Sequence, residues 1–123
     1  MPHFLLCWGI IACRPPQLEI NTQKERYTIM RETLELPLNE EFDFIFSIFD
    51  PLGNPTFPQE VLVDAEMPAH GHGMGLLPSM TVTDTGYEAR GMLFSMEGEW
   101  SIHIFITDDE GVDQGTFEVI CCS

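Results

Sequence analysis

At 123 residues and 14.0 kDa the chain has the size of one domain with a single core, and two domains of ordinary size do not fit in it. Five Lys and Arg against 20 Asp and Glu give a formal charge of -15, which repels nucleic-acid phosphates and anionic lipid headgroups and makes both poor partners. The same charge attracts cations or a basic protein, and apart from Arg90 every basic residue (Arg14, Lys24, Arg26, Arg31) precedes position 32.

The chain opens on the apolar run from Phe4 to Cys13, much shorter than the roughly 20 residues of a helix that spans a bilayer. The run resembles the apolar core of a secretory signal peptide, and Ile10-Ile11-Ala12-Cys13 is similar to a bacterial lipobox. Residues 1–12 are therefore expected to be a leader. Cys13 would then be the lipidated first residue of a protein held outside the cytoplasm, in the periplasm or cell envelope. From Cys13 to Gln23 prolines and polar residues dominate, as in a tether, and the folded domain is expected over 24–123. Cys121 and Cys122 are adjacent at the other end. Neighbours close only a strained ring; they could bind a soft metal or cross-link two chains, but the expectation is frayed, free thiols after the last strand.

Tyr27 to Leu36 reads as a strand stopped by Pro37, and Phe42, Phe44, Phe46 and Ile48 alternate on one face of a second. Asp50-Pro51-Leu52-Gly53-Asn54-Pro55 is dense in turn formers. Val61, Val63, Ala65 and Met67 then alternate toward the next turn. Met80 to Asp84 and Tyr87 to Phe94 read as a hairpin, with Tyr87, Ala89, Gly91 and Leu93 on one side. Trp100, Ile102, Ile104 and Ile106 form the apolar face of the penultimate strand, which leaves His103 on the opposite, solvent face. Gly115 to Ile120 supplies the last strand. About seven short strands, with no helical periodicity, predict an immunoglobulin-like antiparallel β-sandwich.

The chemistry concentrates in Met67-Pro68-Ala69-His70-Gly71-His72-Gly73-Met74-Gly75. In an extended backbone His70, His72 and Met74 would project from one face; the glycines equally allow the segment to wrap as a loop. Imidazole nitrogen suits copper, zinc and nickel, and thioether sulfur narrows the choice toward Cu(I). Met67, His70, His72 and Met74 are thus candidate copper ligands. Met96, in the turn before Trp100, is a fifth if the two hairpins share an end of the sandwich, and otherwise packs on Trp100. Met80 and Met92 are weaker candidates. Asp64 and Glu66 are candidate partners for an imidazole N–H. A glycine-rich turn with solvated histidines and core methionines is the alternative without a metal.

Nothing here predicts an enzyme: nucleophile elbow, phosphate loop and HExxH are all missing from the sequence. Asp108 to Asp113 does not keep the alternate carboxylates of an EF-hand and reads as an acidic hairpin turn.

From Val61 to Val119 the order of features resembles the YtkA-like (FixH/YtkA) domain: Met67-Pro68-Ala69-His70-Gly71-His72-Gly73-Met74, then Gly86-Tyr87, then Met96-Glu97-Gly98-Glu99-Trp100. The resemblance implies a small sandwich domain outside the cytoplasm, in a family discussed alongside copper and cytochrome oxidase assembly, and it carries Met67, His70, His72 and Met74 over as the candidate site. The expected function is a non-enzymatic carrier of Cu(I) or Cu(II) that passes the ion to a copper-accepting or membrane protein. A tethered immunoglobulin-like interaction module without metal is the alternative.

Overall fold

The computed structural model describes residues 16–122. The expected leader, Cys13 and the first residues of the tether lie outside them. The described residues form nine strands, β1 (Glu19–Asn21), β2 (Thr28–Arg31), β3 (Phe42–Phe49), β4 (Glu60–Met67), β5 (His72–Gly73), β6 (Ser79–Val82), β7 (Tyr87–Met92), β8 (Gly98–Asp108) and β9 (Gly111–Cys121). They build two antiparallel sheets, one ordered β1-β2-β3-β7-β6 and the other β5-β4-β8-β9. No helix among the described residues is long and apolar enough to cross a membrane.

The sandwich is the predicted one, with nine strands where about seven are expected. Without β1 and β5, the order β2-β3-β7-β6 against β4-β8-β9 is that of an immunoglobulin constant-type domain, and β5 sits on β4 as the extra strand of variable-type domains does. Alternation drives the packing. Trp100, Ile102, Ile104 and Ile106 of β8 are fully buried, facing Phe44, Phe46 and Ile48 of β3 across the core. The Phe94 ring stacks on Trp100 with centroids 4.4 Å apart, and Phe42 meets Phe94 edge-on.

Two expectations are corrected. Residues 19–21, placed in the tether by their polar surroundings, form β1: Ile20 is buried, its Cδ1 tucked against Gly115 of β9 where no side chain intervenes. The second concerns the phase of β7. Phe42 pairs with Met92 but Phe44 with Ala89, so an extra residue bulges out of β7, beside Gly91 at φ 83°. Past the bulge the alternation inverts. Met92 and Phe94 therefore fill the core in place of Gly91 and Leu93.

The C-terminus also differs from the frayed end expected. Cys121 closes β9, is buried opposite Gly98, and is bonded to Cys122.

At the end of the sandwich remote from the histidine loop, the β1–β2 turn is fastened to the β8–β9 hairpin. Arg26 forks onto both Asp108 carboxylate oxygens at 2.8 Å, the Tyr27 hydroxyl donates to Asp108 Oδ2 at 2.6 Å, and the Lys24 amide donates to Asp113 Oδ1 at 2.9 Å. The Tyr27 hydroxyl, Arg26 and the Glu110 amide hold the Asp108 carboxyl down to about 2. Burial, together with the hydrogen bond to Asp108, pushes Tyr27 up to about 12. A carboxyl depressed in the folded state stabilises the fold above its unfolded value of about 3.9 and loses that contribution as pH falls through the folded one. A phenol raised in the folded state does the reverse, its contribution vanishing as pH rises from about 10. The melting temperature is thus expected to fall between pH 4 and pH 2, and Asp108→Asn to flatten that acid limb while lowering the plateau at neutral pH. An unchanged acid limb in Asp108→Asn places the acid sensitivity elsewhere.

Candidate metal centre

β4 delivers Met67 to the end of its sheet, where the chain turns back on itself. The Met67 carbonyl accepts the amides of both His70 (3.1 Å) and Gly71 (2.9 Å), and Gly71 takes φ 66°, a left-handed conformation that glycine adopts without steric cost. The chain returns as β5, with His72 opposite Met67 and Gly73 opposite Glu66. Gly73 lies so close to β4 that a Cβ there would stand 3.1 Å from the Ala65 carbonyl oxygen. The segment is thus the loop its glycines allow and not one extended run. For that reason His70, His72 and Met74 do not project together.

The sequence-predicted ligands separate into two groups. Met67 is 1 % exposed, its methyl packed beneath Gly98, and Met74 is buried with its sulfur accepting the Leu93 amide at 3.5 Å. The structure places both in the core, along with Met92; Met80 packs at the core margin. His70 is exposed and His72 half-buried, their ring centroids 6.2 Å apart. Met96 comes from the connection between β7 and β8 and reaches the same end of the sandwich. Its sulfur lies 3.0 Å from His72 Nε2.

Trp100, which the sequence offered only as a packing partner, underlies this contact. Its indole N–H donates to the Met96 carbonyl at 2.9 Å, and the His72 ring stands edge-on to it, with centroids 6.2 Å apart and planes at 84°. Met96 therefore meets the imidazole with its side chain while its main chain is held by the indole. An ion bound at metal–nitrogen and metal–sulfur lengths of about 2.0 and 2.3 Å holds those two donors about 3.5 Å apart at a tetrahedral angle. A shift of about 0.5 Å, within reach of the flexible thioether, opens the 3.0 Å contact to receive one.

The two carboxylates expected to support a loop imidazole have other partners. Glu66 bonds His103 Nε2 at 2.8 Å, and Asp64 Oδ1 accepts the Ala65 amide at 2.8 Å. His103 faces outward as expected, but in a network that also includes Thr116 and Gln114. It borders a groove of about 540 Å³ on the outer face of the four-stranded sheet, which Asp64, Glu66, His72, Phe105 and Gln114 also line. Among the described residues no three His, Cys, Asp or Glu side chains converge as a metal-binding group. No family model, no curated protein and no solved structure matches this chain.

Proposed function

We propose that this protein is a non-enzymatic copper-binding or carrier protein of YtkA-like type, working outside the cytoplasm, with His70, His72 and Met96 as its ligands. The observation that carries the reading is the meeting at 3.0 Å of His72, from β5, and Met96, from the connection between β7 and β8. Thioether and imidazole together form a donor set suited to copper, and the thioether needs no deprotonation to bind. Anchorage through a lipidated Cys13 would keep the domain at a membrane surface, within reach of a copper-accepting membrane protein. The acidic surface would raise the local concentration of cations without coordinating them.

The test is a Cu(I) and Cu(II) titration of the full chain, with X-ray absorption at the copper edge on the loaded protein. Binding of one equivalent with both sulfur and imidazole scatterers is the expected outcome. Binding without imidazole scatterers would move the ion away from His70 and His72 and overturn the site.

The outer face of the four-stranded sheet favours the second reading, an interaction module without metal. Leu62, Val112 and Ile120 are each about half exposed there, on the same face as the groove at Phe105. The readings separate in one experiment, since a ligand that binds only the native state must raise the melting temperature. Equimolar copper that leaves it unchanged favours the interaction module.

A further inference from the structure

We infer that the centre formed by His72 and Met96 takes a soft, closed-shell monovalent ion, Cu(I) or Ag(I), in preference to Cu(II) or Zn(II), and that Trp100 is the positioning residue that presets it. The inference rests on the copper-binding reading and narrows it to one class of ion.

The donors present decide the class. Zn(II) prefers four nitrogen, oxygen or thiolate ligands, and Cu(II) a tetragonal set of nitrogen and oxygen. Such a set does not assemble here, because no three His, Cys, Asp or Glu side chains converge among the described residues. Glu66, the carboxylate that precedes the loop, is spent on His103 on the outer face. The donors that meet are the imidazole of His72 and the thioether of Met96, with the His70 ring centroid 6.2 Å from that of His72. A thioether binds soft ions well and hard ones poorly. Closed-shell monovalent ions also accept two or three ligands without a geometric penalty.

Trp100 explains how a flexible methionine contributes to selectivity. Here the Met96 carbonyl is already fixed by the indole N–H, and the indole is fully buried, so that anchor does not drift. The edge of the same ring abuts His72. One side chain thus holds both the main chain that carries Met96 and the ring of His72 at this end of the sandwich. Its effect should fall on the ion that uses the sulfur and spare ions that use imidazole alone.

The experiment uses the full-length chain, metal-free, with Cys7→Ser and Cys13→Ser so that these thiols do not compete. Ag(I) and Zn(II) are the probes, and the methionine methyl and histidine ring NMR signals the readout. Ag(I) is expected to shift the Met96 methyl and the His72 ring together. Met96→Leu, which conserves volume, should weaken Ag(I) by about tenfold or more, the scale of one lost ligand contact, with Zn(II) unchanged. Trp100→Phe should lower the ratio of Ag(I) to Zn(II) affinity, whereas a merely structural role would weaken both ions alike and leave the ratio where it was. Zn(II) binding as tight as Ag(I), an unchanged ratio in Trp100→Phe, or Ag(I) affinity that survives Met96→Leu each overturns the inference while leaving a metal site at the histidines. Failure of every ion to bind removes the copper reading as well.

Discussion

Gly86→Ala is expected to destabilise the fold by about 3 kcal/mol or more, at the upper end of what overpacking costs. A Cβ on Gly86 would stand 2.3 Å from the Phe46 carbonyl oxygen and 2.9 Å from Ser47 Oγ. The nearer atom is backbone in the central strand β3, where Phe46 pairs with Tyr87, so it cannot step aside without disturbing the β3–β7 ladder. The turn itself is pinned from both directions. Thr83 and Gly86 exchange hydrogen bonds across it, and the Ser47 hydroxyl donates to the Thr85 carbonyl at 3.0 Å. For a domain of this size the loss corresponds to roughly 10 °C or more in melting temperature. Gly53→Ala is the control: it carries φ 86° but has open space around it, so it should cost only the left-handed penalty of about 1 kcal/mol. Thermal denaturation of the two variants distinguishes close approach from backbone conformation. Equal losses would mean that β3 yields to the added methyl.

The sandwich was legible because its strongest strands alternate without interruption. Phe44, Phe46 and Ile48 in β3, and Trp100 to Ile106 in β8, declare their inward faces by period two alone. What escaped the sequence arose where tertiary pairing overrode local pattern. β1 spans only Glu19–Asn21 among polar neighbours, and Ile20 finds its burial against a strand almost a hundred residues away. The bulge beside Gly91 inverted the predicted phase of β7 because alternation carries no information about a residue left out of the ladder. At the candidate site, the glycines signalled a departure from regular extension but not which way each side chain would turn. Met67 and Met74 went inward, for burial rewards a methionine wherever the core has room. Met96 could be located by counting strands. β4 ends and β8 begins at the same end of a sandwich when the two pair antiparallel, as Glu66 and Ser101 do here. The support from Trp100 had no such signal, since an indole hydrogen bond to a backbone carbonyl leaves no trace in composition or spacing.

Replacing both loop histidines gives the sharpest functional outcome. His70→Ala/His72→Ala is expected to lower copper affinity at this centre by at least about 100-fold, two lost ligands at about 1.4 kcal/mol or more each. The fold should tolerate the change. His70 is exposed, and His72 makes its contacts at the rim, with Met96 and the edge of Trp100. Substitutions at such positions usually stay within about 0.5 kcal/mol. The single variants should not be equal, because only His72 lies within contact of the Met96 sulfur. His72→Ala alone should therefore account for most of the loss, with His70→Ala the lesser. The measurement is a competition titration against a chelator, paired with thermal denaturation with and without copper. A ligand at about 100 times its dissociation constant stabilises the native state by about 2.7 kcal/mol, and this copper-dependent increment should disappear in the double variant while its metal-free melting temperature stays near that of the parent. Were the increment to survive, the ion would be bound by other residues, and the meeting of His72 with Met96 would be a packing contact at the mouth of an interaction domain.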